Sequence, residues 1–169
     1  MFKDHARIIQ SIAAVGEIAG RKKLQKMIYI AKKISFPFQE KYEFHFYGPY
    51  SEELTLRVEE LCDMGYLDEA REKKNGYHQY CYSVSDEGLS FLETYKEEMP
   101  RLEDCLLDMN SQNARFLELV ATVLYFEPLP MDEVAEKVFT LKAKQKYTFE
   151  EVKDAYRYID ALKEKRQAN

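Results

Sequence analysis

Apolar positions recur at helical spacing along most of the chain. Ile8, Ile9, Ile12, Val15 and Ile18 predict a first helix over about Asp4–Glu17, loosened at its end by Gly16 and Gly20. A second helix is expected from Arg21 to Ile34, with Leu24, Met27, Ala31 and Ile34 on one face and Ile28 and Ile30 at its edges. Pro37 forbids its continuation. The period then changes. In Tyr42-Glu43-Phe44-His45-Phe46-Tyr47, aromatic and polar residues alternate as in a short strand, and Gly48-Pro49-Tyr50-Ser51 reads as a turn into a third helix. Ser51 suits the N-cap of that helix, Glu52 and Glu53 suit its dipole, Leu54, Val58, Leu61 and Cys62 form its inner face, and Gly65 ends it.

The next segment is β-patterned. Tyr66-Leu67 opens a strand, Asn75-Gly76 is a strong hairpin signal, and Tyr80, Tyr82 and Val84 alternate on the return. Ser85 starts a helix with Leu89, Leu92 and Tyr95, and Pro100 separates it from one with Leu102, Leu106 and Met109. Phe116–Phe126 is apolar on nearly every side and is expected to be buried. Pro128 and Pro130 precede a helix from Met131 to about Lys144. Thr148 and Glu151 form a capping box for the last helix, with Tyr147 and Val152 placed as its hydrophobic staple. The expected fold is mainly α with a small β-hairpin. Residues 1–98 form a winged-helix-like unit (helix-turn-helix 21–65, wing 66–84), and a C-terminal helical subdomain, 99–169, packs on it.

Composition narrows the functional classes. A content of 46% apolar and 33% charged residues supports a packed core, and a net charge of −5 gives no global attraction to polyanions. The segment Phe2-Lys3-Asp4-His5 lacks the apolar run of a signal peptide, and no stretch reaches the length of a membrane span. A cytoplasmic chain without membrane contact is expected. Cys62, Cys81 and Cys105 fit neither a zinc pattern nor a disulfide framework, and His5, His45 and His78 are too scattered for a metal site. No Gly-rich phosphate loop opens a helix. No enzyme chemistry, cofactor, metal or small-molecule ligand is therefore expected.

Two charged surfaces remain. Between Ile18 and Gln39 stand six bases (Arg21, Lys22, Lys23, Lys26, Lys32, Lys33) and no acid. At about 100° per residue, Lys22, Lys26 and Lys33 form one stripe, with Tyr29 beside it and Arg21 and Lys32 at its flank. That stripe suits a phosphate backbone, an acidic partner or plain solvation. The third helix has the opposite sign, with five acids (Glu52, Glu53, Glu59, Glu60, Asp63) against Arg57. Its expected outer face, Glu52, Leu56, Glu59 and Asp63, is ill-suited to lie among phosphates and suits a protein contact. Tyr47 and Tyr50, flanking the Gly-Pro turn, either pack its ends or add an aromatic platform to that contact.

The runs Lys23-Leu24-Gln25-Lys26-Met27-Ile28-Tyr29-Ile30-Ala31, Tyr47-Gly48-Pro49-Tyr50-Ser51 and Met64-Gly65-Tyr66-Leu67 resemble the YwgA family of bacterial proteins, and the likeness extends through Tyr147–Leu162. More distantly, residues 20 to 90 are similar to the Panacea domain of antitoxins, which implies the gripping of protein partners. The leading expectation is a non-enzymatic regulator or adaptor that binds a protein partner, or a second copy of itself, through the winged-helix-like unit. A DNA-binding regulator using Arg21, Lys22, Lys26, Lys33 and Tyr29 is the alternative.

Overall fold

The computed structural model describes residues 2–168, and among them the chain is mainly helical with two small antiparallel sheets. The order is α1 (Lys3–Val15), β1 (Glu17–Ala19), α2 (Arg21–Lys33), β2 (Glu43–His45), β3 (Gly48–Tyr50), α3 (Glu52–Asp63), β4 (Leu67–Lys74) and β5 (Tyr77–Val84). Then follow α4 (Asp86–Tyr95), α5 (Leu102–Asn110), α6 (Ala114–Tyr125), α7 (Met131–Leu141), a 3-10 turn at Ala143–Gln145, and α8 (Phe149–Gln167).

The hairpin β4–β5 forms around Asn75-Gly76, with Gly76 at φ +78°, and its strands register from Leu67 opposite Val84 to Lys74 opposite Tyr77. A third strand joins it on the other side. Glu17-Ile18-Ala19 does not extend the first helix but pairs with Ser83, Tyr82 and Cys81 of β5, giving the order β1-β5-β4. Gly16, at φ +87°, breaks the helix and lets the backbone turn into that strand. Ile18 is buried as its place in the apolar pattern demands, but from a strand.

A second correction concerns the segment before α3. Gly48-Pro49-Tyr50 is a strand rather than a turn; it pairs with Glu43–His45, and the reversal falls at Phe46-Tyr47. Proline is tolerated here because the pair has a free edge. Gly48 takes φ +92°, unfavourable for other residues, directly above Thr122, Glu118 and Lys26.

Helix α2 is the hub. Every residue from Leu24 to Ala31 is buried, because α5, α6 and β3 pack around the helix, and α6 and β3 cover the side that the sequence pattern leaves to solvent. The near-continuous apolar run of α6 is its counterpart, buried from Leu117 to Leu124. Buried side chains from both halves, from Ile8 to Leu162, belong to one core cluster.

Helix ends follow the sequence closely. Ser51, Ser85 and Asn113 each accept a hydrogen bond from a backbone N–H of the first turn. Thr148 and Glu151 form the reciprocal capping box, and Tyr147 and Val152 are both buried beside it. α7 stops at Leu141, and the residues to Gln145 continue as the 3-10 turn rather than as α-helix. Thr148→Ala should cost about 1 kcal/mol, the usual worth of a helix cap, measured as a lower urea midpoint with unchanged slope. An unaltered midpoint would show that α8 is held by packing alone.

Candidate functional site

A pocket of about 290 Å³ opens between the start of α2, the β2–β3 turn, α3 and the hairpin β4–β5. It gathers residues that the sequence places on separate surfaces. Arg21, Lys22 and Lys26 come from α2, Tyr47 and Tyr50 from the turn and β3, and Glu59 from α3. The basic and acidic elements therefore share one face. Leu24, Leu54 and Val58 give the floor its apolar character, and Gln25, Thr55, Glu69 and Tyr82 complete the wall.

The polar groups of the wall mostly satisfy one another. Gln25 Nε2 donates to Ser51 O and Thr55 Oγ1, both at 3.0 Å, and Gln25 Oε1 accepts from Ser51 N–H at 2.9 Å. Tyr50 and Thr55 share a hydroxyl–hydroxyl bond of 2.8 Å. Arg21 lies over the Tyr80 ring and donates to Tyr82 Oη, which in turn donates to Glu69 at 2.6 Å. Burial and that carboxylate push the Tyr82 phenol well above its ordinary range. Among the described residues, none of the buried side-chain polar atoms left without a partner lines this pocket. At the mouth stand the exposed Glu59 and Lys22, the latter 3.4 Å above the Tyr47 ring.

The structure divides the expected basic stripe. Arg21, Lys22 and Lys33 are exposed, but Lys26 and Tyr29 are buried at 3% and 4% exposure. Tyr29 packs edge-on against Tyr42, and Lys26 Nζ donates to Pro49 O at 2.7 Å. Neither lies on the exposed surface that a phosphate backbone would meet. The cause is the cover from α6 and β3 over the face of α2 that single-helix periodicity assigns to water.

Lys26 belongs to a buried charge cluster. Glu118 of α6 and Lys142, at the end of α7, are also buried, with Lys142 Nζ 3.9 Å from Glu118 Oε1 and donating to Phe46 O at 2.9 Å. Two lysines from distant parts of the chain thus hold the backbone on both sides of the Phe46-Tyr47 reversal. Desolvation lowers both ammonium groups, Lys26 to about 8, while Glu118 pulls the other way.

On α3 the expected outer face is observed: Glu52, Glu59 and Asp63 are exposed, and so is Leu56. Arg57 turns away to pair with the buried Glu40 and with Asp4, which leaves that outer face without its own base. Among the described residues, the most exposed large apolar side chain is one that strand alternation does not single out. Phe46 is 76% exposed, against 55% for Leu56 and 45% for Tyr47, and its ring centroid lies 5.1 Å from that of Tyr47. Alternation sets Phe46 in phase with Phe44, which packs on Tyr125 and Phe126 at the end of α6, but the chain reverses at Phe46 and turns its ring outward.

One further group escapes detection by spacing. Glu17, Glu72 and Cys81 bring potential ligand atoms within 4.8 Å of one another across the three-stranded sheet. Burial, then Glu72, pushes the Cys81 thiol up to about 11, so the thiol rests protonated beside the two carboxylates. No helix among the described residues is long and apolar enough to cross a membrane.

The fold and pocket define a mainly α-helical protein with two small antiparallel sheets and an apolar recess on one face. Over 164 residues the chain is 57% identical to the "Uncharacterized protein YwgA" of Bacillus subtilis (strain 168), covering 97% of this chain and 99% of that protein. The chain belongs to the YwgA family. No protein-family model matches it, so the likeness to the Panacea domain rests on the quoted motifs alone.

Proposed function

We propose that this chain is a non-enzymatic regulatory or adaptor protein that grips a protein partner through the face around the α2–α3 pocket. The observation that carries this reading is the pairing of the pocket's polar groups with one another. A polar ligand would find few free hydrogen-bonding groups there, whereas an apolar side chain would displace water from Leu24, Leu54 and Val58 at little polar cost. Exposed Phe46, Tyr47 and Leu56 beside such a recess resemble the aromatic and aliphatic anchors of binding hot spots. The helices α1–α3 and the sheet order β1-β5-β4 support the winged-helix reading of this half. Burial of Lys26 and Tyr29 and the acidic outer face of α3 weigh against DNA as the partner.

Affinity capture tests the reading. The doubly substituted Tyr47→Ala/Leu56→Ala chain should lose a partner that the parent chain retains, as should reversal of Glu52, Glu59 and Asp63 to lysine. Leu107→Ala, which changes an exposed leucine of α5 away from the pocket, should keep it. A partner set unmoved by both pocket-face variants would reject the surface.

A further inference from the structure

Building on this reading of the pocket face, we infer that its occupant is a second copy of the same chain, joined about a twofold axis with Phe46 of each copy in the pocket of the other. A twofold contact must be self-complementary, with projection and recess on one patch and both charge signs present. This face meets each condition. Phe46 projects from the β2–β3 turn, its ring against that of Tyr47, and Tyr47 lines the recess. The recess, about 290 Å³ with a floor of Leu24, Leu54 and Val58, has room for a benzyl group.

Charge supplies the second argument. One side of the mouth carries Arg21 and Lys22 at the start of α2; the other carries Glu59, with Glu52 and Asp63 beyond it on α3. A foreign partner would have to present its own bipolar counterpart. A twofold copy does so by construction, setting Lys22 of each chain toward Glu59 of the other.

Rigidity supplies the third. Lys142 holds the Phe46 carbonyl and Lys26 the Pro49 carbonyl, so the projecting turn loses little freedom on docking. The same geometry accounts for the 76% exposure of a phenylalanine on a turn that is tied down from beneath.

Sedimentation equilibrium on the full chain is the test. The parent chain should dimerise, more weakly as salt rises, and Phe46→Ala should weaken the dimer by more than about tenfold. Lys22→Glu and Glu59→Lys should each weaken it by about tenfold, because the axis creates every like-charge contact twice. An equimolar mixture of Lys22→Glu and Glu59→Lys chains should recover a dimer, since both contacts between unlike copies become attractive again. All three positions are exposed, and unchanged circular dichroism would show that folding is intact. A parent chain that stays monomeric at concentrations on the order of 100 μM overturns the inference, as does a mixture that fails to recover. A monomer that still captures another protein in a Tyr47- and Leu56-dependent way rejects the second copy as occupant while keeping the binding face.

Discussion

Gly88→Ala should destabilise the protein by about 3 kcal/mol and lower its melting temperature by roughly 10 °C, although it replaces a helical glycine with the best helix former. On propensity alone, alanine would gain about 1 kcal/mol. Gly88 sits in the first turn of α4, where a Cβ would lie 2.2 Å from Tyr66 O and 2.7 Å from Val84 Cγ1. The first obstacle is backbone, and it is already committed, because Tyr66 O accepts from Ser85 N–H while Ser85 Oγ donates to Gly65 O. Relief would require α4 to back away from the start of β4, loosening the Tyr66–Phe91 stack. Thermal and urea unfolding would measure the loss. A Gly88→Ala variant as stable as the parent would mean that this junction yields more readily than its contacts indicate.

Glu118→Gln should be costlier still, by about 3–5 kcal/mol at neutral pH, the usual effect of leaving a buried charge without its counterion. The substitution keeps shape but removes the carboxylate beside Lys26 and Lys142. The sign of the pH dependence follows from Lys26. Its folded pKa, about 8, lies below the ordinary 10.5, so the unfolded chain holds more protons between these values and relative stability rises with pH across that window. Without Glu118, which raises that pKa, the window opens lower. The deficit of the variant should therefore be largest near pH 6 to 7 and shrink toward pH 9. Urea titrations of both proteins at the two ends would check this, and a deficit independent of pH would remove Lys26 from the account.

Local chemistry was the legible part of the fold. The Asn-Gly hairpin, the caps at Ser51 and Ser85 and the Thr148–Glu151 box each rest on neighbouring residues, and each is present. The misreadings arise where distant segments decide the structure. Glu17–Ala19 is too short to betray a strand and becomes one only against β5, far along the chain. Gly48-Pro49 carries turn chemistry, yet α6 and the pairing with β2 hold it extended. Lys26 reads as solvated because Glu118 and the Pro49 carbonyl, which receive it, cannot be placed by the periodicity of one helix.

The candidate site divides similarly. The acidic face of α3 follows from helical geometry and is observed, Leu56 included. The recess was not legible, because its walls come from α2, a turn, α3 and the hairpin. Phe46 escaped because a strand residue and a turn residue share the same parity until the chain reverses.

The two lysines beneath the Phe46-Tyr47 reversal order events during synthesis. Lys26 is made before the turn, but Glu118 and Lys142 are made long after it, so a growing chain carries Phe46 without the Lys142 half of the clamp. Only when the segment beyond α7 has left the ribosome can that turn be pinned from both sides. A chain that lacks the segment around Lys142 therefore keeps only the Lys26–Pro49 half of that support.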